Sequence, residues 1–430
     1  MLYRFFNARL LTMQESEEVT EGELFVRDDR IYFVGSCKQA ADLIKKEALS
    51  FDREIDAKGN LLMPGFKDAH THSGMTFLRS LADDMPLNDW LNKQILPREA
   101  KLTSEDIYEC TRLAILEYLS GGVTSIFEMY LTPDTIAQAC SSMGMRCVQT
   151  GGVNNFSQSL EKLEEWYKKY NEPGSLNSFI LGFHAEYTCS RELLEGIAEL
   201  AHKYKAPVFT HNSETEAEVR GCREHTGGLS PTQYLDSLGI YDFGGGGYHC
   251  VHFDEKDMEI FQKRGLSVVT NPASNAKLAS GVAALAEFEK RGINVAIGTD
   301  GPASNNCLDM FREMFLATAL AKLREKDASA LDGARVLKMA TVNGARAMGL
   351  TDCDILAAGK KADIIMIDLH RPNMQPLNNL AKNIVYSGSK ENVCLTMING
   401  RILYEKGEYA NGIDPEEIYA RVEDIRKRIV

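Results

Sequence analysis

The chain has 430 residues, 44 % of them hydrophobic and 25 % charged, and its 61 acidic against 48 basic side chains give a formal net charge of −13. This composition excludes a disordered chain, a collagen-like fibre and a small disulfide scaffold. The acidic balance excludes a basic nucleic-acid footprint and makes an anionic membrane surface a poor partner. The ten cysteines form no C-x-x-C pair, the opening residues lack the apolar stretch of a signal peptide, and no run of ~20 apolar residues exists. A reduced, soluble, cytoplasmic protein is the expectation.

In chain order, residues 22–35 alternate around Asp28-Asp29, which predicts a hairpin. Eight short apolar runs follow, at 65–72, 123–130, 146–151, 179–186, 207–213, 248–252, 267–274 and 294–301. Helical patterns lie between them, at 103–120, 191–204 and 254–264 among others. Eight strand–helix units predict a (β/α)8 TIM-type barrel. An open doubly wound sheet is the alternative, but no G-x-G-x-x-G turn follows the first strand. Beyond the barrel, 362–368 reads as a strand, and Asn399-Gly400 between two apolar runs is a strong hairpin cue. Residues 1–57 and 360–430 are thus expected to build the two halves of a small β-sandwich domain, with a solvated terminal helix at 415–428, and 58–359 to form the barrel.

Six of the nine histidines fall at or just past the C-terminal ends of predicted barrel strands, the end where a barrel keeps its active site. His70 and His72 are two apart on strand 1, so both rings face the same side. With His211 on strand 5 and Asp300 on strand 8 they make a donor set suited to zinc that still leaves room for water. His249 is a further ligand or an acid/base, and His184 a substrate contact, in this reading; His252 is ambiguous. His202, His225 and His370 read as solvated or structural.

The ordered motifs resemble the metal-dependent amidohydrolase superfamily, in its branch of 5-methylthioadenosine/S-adenosylhomocysteine deaminases and triazine hydrolases. They include Met63-Pro-Gly-Phe-Lys-Asp-Ala-His-Thr-His72, Trp90-Leu, Leu96-Pro-Arg-Glu99, His184-Ala-Glu-Tyr-Thr-Cys-Ser190, His211-Asn-Ser-Glu-Thr215, His249-Cys-Val-His252, Asn271-Pro-Ala-Ser-Asn275 and Gly298-Thr-Asp-Gly-Pro-Ala-Ser-Asn-Asn306. The resemblance implies one divalent ion on His70, His72, His211 and Asp300, zinc first, with iron(II) or manganese(II) as alternatives. It implies Glu214 as proton shuttle, His249 as the group orienting the attacking hydroxide, Asp300 as its proton acceptor, and Glu99, His184, Glu214 and Trp90 as substrate contacts. The lysine that dinuclear relatives place at the end of strand 4 is missing, since no Lys stands between Lys169 and Lys203. The implied activity is hydrolytic deamination of adenosine-type nucleosides, with guanine, a triazine or a halogenated heteroaromatic ring as the alternative substrate. Beyond that small molecule no partner is implied, and a homo-oligomer is left open.

Two positions depart from that pattern. Relatives taking S-adenosylhomocysteine often carry an arginine just after strand 3, where this chain has Gln149-Thr-Gly-Gly152. Glu186 replaces a common proline, bringing a charge near the site or facing solvent.

Overall fold

The computed structural model describes residues 1–14 and 18–430. Eight parallel strands form its centre: Phe66–Thr71, Val123–Met129, Arg146–Thr150, Asn177–Ala185, Val208–Asn212, Gly245–His249, Ser267–Thr270 and Asn294–Ile297, here barrel strands 1 to 8. Each pairs with its successor, and a parallel bridge between Thr71 and Asp300 closes strand 8 onto strand 1. Six of the eight are buried at every position. Continuous apolar runs, not alternation, are what strands covered on both faces require.

Strand 6 runs over Gly245–His249, upstream of the 248–252 expected. Its glycines resemble a turn but serve close packing. A Cβ on Gly245 would stand 1.9 Å from the Val208 carbonyl oxygen, and one on Gly246 2.2 Å from that of Ser267. The shift makes His249 the last residue of the strand and puts His252 in the following loop, where its Nε2–H donates to the Ser280 carbonyl at 2.7 Å.

The three predicted helices are present within a residue, because each begins at a capping side chain. Thr103 and Asp106 form a capping box on Ser104–Ser120, Ser190 caps Arg191–Tyr204, and Asp254 and Asp257 box Glu255–Arg264. The terminal helix Pro415–Ile429 is not fully solvated as expected. Ile418, Val422, Ile425 and Ile429 make a buried stripe against Ser104–Ser120, and Arg428 pairs with Asp106.

Strands from both ends of the chain make one nine-stranded mixed sheet with its own apolar core. Leu61–Pro64 lies in its middle, pairing in parallel with Leu2–Leu11 and antiparallel with Ile364–Ile367. The two predicted hairpins meet turn to turn: a Cβ on Gly400 (φ +75°) would stand 1.7 Å from the Asp28 carbonyl oxygen, and Lys361 pairs with Asp29. Sheet and barrel are tied by a buried bidentate pair, Arg146 Nε and Nη2 donating to Asp363 Oδ2 and Oδ1 at 2.6 and 2.9 Å. Among the described residues no helix is long and apolar enough to cross a membrane.

Candidate active site

The C-terminal ends of strands 1, 5, 6 and 8 bring His70, His72, His211, His249 and Asp300 together. Ligating atoms of His70, His72 and His211 lie within 4.8 Å of one another, and so do those of His70, His249 and Asp300. Asp300 Oδ1 stands 3.5 Å from His70 Nε2 and 3.1 Å from His72 Nε2. Asp300 (φ +59°), His249 (φ +68°) and Ser213 (φ +52°) all adopt left-handed backbone as their strands end. Non-glycine residues hold that conformation at an energetic cost, and it clusters at functional sites. Gly298 lets the last strand close on the first: a Cβ there would stand 2.7 Å from the His70 backbone nitrogen.

The tautomers follow from what the outer ring nitrogens touch. His72 Nδ1–H donates to the Met129 carbonyl at 2.5 Å and His211 Nδ1–H to that of His184 at 2.7 Å, which leaves each Nε2 as a lone-pair donor. His70 lies stacked on Tyr248 at 3.8 Å, and both its ring nitrogens are buried without a hydrogen-bond partner. An orphaned buried imidazole is costly, and a cation at Nε2 supplies what is missing. Burial pushes the His70 pKa down to about 3, and burial with the neighbouring imidazoles takes His211 well below its usual value. Burial also works against a charged His72, but Asp300 outweighs it and lifts the ring to about 9. The set thus wants one positive charge beside Asp300, and three imidazoles with one carboxylate fit a divalent metal ion.

Asp300 is anchored from behind, Oδ2 accepting from Ser274 Oγ at 2.6 Å and Ser304 Oγ at 2.7 Å. His249 Nδ1–H donates to Asn275 Oδ1 at 2.7 Å, and Nε2 faces Glu214 Oε2 at 3.9 Å. Glu214 Oε1 accepts from Ser280 Oγ at 3.1 Å. The loop carrying Glu214 is fixed by Glu218, whose two oxygens accept from the backbone N–H groups of Ser213 and Glu214 at 2.8 and 2.7 Å. Glu218, Asn275, Ser274 and Ser304 escaped the sequence reading as functional groups, though Thr215 and Glu218 stand at the spacing of a capping pair.

A cavity of about 890 Å³ opens beside these groups, lined by Glu99, His184 and Glu214 with Leu91, Phe156 and Tyr187 among the apolar residues. Burial raises Glu99 to about 6 even though Tyr130 O–H donates to it at 2.7 Å. Burial lowers His184 to about 4. Trp90 is not among the lining residues; it sits in the apolar core, 6 % exposed. Glu186 neither faces solvent nor lines the cavity: its side chain is 3 % exposed and pairs with His225.

A family profile described as the Amidohydrolase family matches residues 61–403. The chain is 38 % identical to a 5-methylthioadenosine/S-adenosylhomocysteine deaminase of Thermoanaerobacter pseudethanolicus, over 99 % of this chain and 98 % of that protein. It is 39 % identical to a 5'-deoxyadenosine deaminase of Methanothermobacter thermautotrophicus, over 91 % of each. A crystal structure of an adenosine deaminase from Xanthomonas campestris with bound zinc superposes with a TM-score of 0.93 at 32 % identity, covering 100 % of this chain and 98 % of that one.

Proposed function

This chain belongs to the amidohydrolase family, and we propose that it deaminates adenosine-type nucleosides by hydrolysis, releasing ammonia and the inosine analogue. One divalent ion, zinc first, is held by His70, His72, His211 and Asp300. The observation that carries the reading is that this donor set converges beside a cavity lined by Glu99, His184 and Glu214, with Glu214 against His249 and His184 against His211.

When bound, such an ion lowers the pKa of a water to ~7 and so supplies hydroxide at neutral pH. The chain's own groups do the rest. Asp300 Oδ1, its partner oxygen fixed by two serines, faces the reacting centre and accepts the proton of the attacking water. His249, with its proton committed to Asn275, offers Nε2 to orient that water. Glu214 donates its proton to the ring nitrogen beside the attacked carbon. It then takes the proton of the new C–OH group and delivers it to the departing amino group as the C–N bond breaks, freeing ammonia and leaving the carbonyl; the proton held on Asp300 then returns to Glu214. Its loop cannot drift, because Glu218 holds two successive backbone N–H groups. Glu99 accepts from the ribose hydroxyls.

The cavity lining supports a choice among nucleosides. Among the described residues it includes no lysine or arginine. Arg146 is committed to Asp363, and Lys277 Nζ to Asp83 at 2.5 Å. A side chain at Gly151 has no room, since a Cβ there would stand 2.5 Å from Leu163 Cδ1 and 2.8 Å from the Gly182 carbonyl oxygen. A carboxylate tail therefore finds no cation, and desolvating it unpaired is costly. Small or apolar 5′ groups are preferred over S-adenosylhomocysteine.

The test is ammonia release by metal-loaded enzyme from adenosine, 5′-deoxyadenosine, 5′-methylthioadenosine, S-adenosylhomocysteine and guanine. Turnover of guanine alone would refute the nucleoside reading. A clear preference for S-adenosylhomocysteine over 5′-methylthioadenosine would refute the argument from missing cations.

A further inference from the structure

Behind the wall of the cavity lies a second cluster with a different donor chemistry. Glu186 follows barrel strand 4, and Cys222 and His225 lie on the helix Glu216–Thr226 that follows strand 5. Three residues apart, Cys222 and His225 share one helix face. His225 Nδ1–H donates to the Gly221 carbonyl at 2.8 Å, which turns Nε2 onto Glu186 Oε1 at 2.9 Å. Ligating atoms of the three residues all lie within 4.8 Å of one another. Glu186 Oε2 is buried with no N–H or O–H donor, the side chain being 3 % exposed, and the Cys222 thiol is the neighbour that bonds to the carboxylate. A buried carboxylate oxygen left without such a donor needs a partner.

We propose that Glu186, Cys222 and His225 form a second metal site, separate from the centre on His70, that takes a thiophilic divalent ion such as zinc. One carboxylate, one thiolate and one neutral imidazole balance the charge of such an ion, and coordination displaces the thiol proton to solvent. Hard cations such as magnesium and calcium are poorly served by a set in which sulfur and nitrogen are two of three donors. Tetrahedral bonds of about 2.0–2.3 Å place ligand atoms about 3.3–3.8 Å apart, so the cluster closes by small side-chain movements. The fourth position opens beside His225, whose side chain is 54 % exposed. The ion would tie the two walls of the substrate cavity, Tyr187 and Thr188 on one side and Ala217 and Gly221 on the other.

The experiment is a titration of the metal-free full-length chain with zinc against a chromophoric chelator, and in parallel with cobalt(II). Two zinc equivalents are expected for the wild type and one for Cys222→Ser and for Glu186→Gln, with circular dichroism showing each variant folded. Cobalt should produce thiolate charge-transfer absorption in the wild type and in His70→Ala/His72→Ala, and none in Cys222→Ser. A wild type without that absorption, or a Cys222→Ser variant still taking two equivalents, overturns the site. A wild type binding one equivalent with the absorption leaves this site standing and removes the centre on His70 instead.

Discussion

Removing the two hydroxyls behind Asp300 tests whether the carboxylate is held in place or places itself. Ser274 and Ser304 donate to Oδ2 at 2.6 and 2.7 Å, and Oδ1 is thereby left to the imidazole side. A hydrogen bond to a charged group is worth about 1.5–3 kcal/mol, which corresponds to the ~10–100-fold in metal affinity that outer partners of ligands typically carry. Ser274→Ala or Ser304→Ala alone should therefore weaken metal binding by ~10-fold, since the remaining hydroxyl still satisfies the oxygen. Ser274→Ala/Ser304→Ala orphans Oδ2 and should cost more than the sum, with a coupling of about 0.5–3 kcal/mol. Equilibrium competition with a chelator measures all three variants, and kcat on the fully loaded enzyme shows whether Asp300 still accepts a proton. Affinity within three-fold of wild type in the double variant would show that the imidazoles alone position the carboxylate, and the reasoning would fail.

Glu214→Gln keeps the shape but carries no exchangeable acid proton, so turnover should fall by ~10²–10⁴-fold with metal content unchanged; near-normal turnover would assign the shuttle elsewhere. Burial raises Glu99 to about 6, so its stronger, ionised acceptor form is gained as pH rises through that value. kcat/KM for ribose-bearing nucleosides should climb across about 6, and a pH–rate profile of Glu99→Gln, or of wild type on 2′,3′-dideoxyadenosine, should lack that limb. His70→Ala/His72→Ala should lose the catalytic ion together with activity, as elemental analysis reads directly. Arg146→Ala leaves Asp363 buried without its guanidinium, costing about 3–5 kcal/mol in urea unfolding; adding Asp363→Asn should recover part, because it removes the charge while keeping an acceptor for the Asn399 N–H.

The cluster of His70, His72, His211 and Asp300 at the barrel mouth was legible because His-x-His on a strand end, a histidine four strands on and an aspartate after the last strand have few other uses. The barrel was legible for a related reason: its strands are buried on both faces, so apolar runs separated by capped helices stand out. What resisted reading depends on approach between chains. The glycines of Gly245–His249 are spaced for the carbonyls of Val208 and Ser267, and nothing local distinguishes them from a turn. Ser274 and Glu218 act through partners that only the closed barrel defines. The stripe of Ile418, Val422, Ile425 and Ile429 was present in the sequence but diluted among charges. Trp90 came from resemblance, and its ring packs into the core near a cavity that it does not line.

The strand Leu61–Pro64 has an implication for how a ribosome can build this molecule. It pairs on one side with Leu2–Leu11, made just before it, and on the other with Ile364–Ile367, which emerges only after the entire barrel. At roughly 5–20 residues per second, the intervening stretch of roughly 300 residues takes about 15–60 s to synthesise. Throughout that interval the nascent chain presents an unpaired edge carrying Leu61, Leu62 and Met63, all of which end up buried. Such edges are templates for pairing with neighbouring chains. Chains arrested or truncated before residue 364 should therefore aggregate through the open Leu61–Pro64 edge even when their barrels are intact, and the last strands act in effect as the stopper that makes the finished protein safe to release.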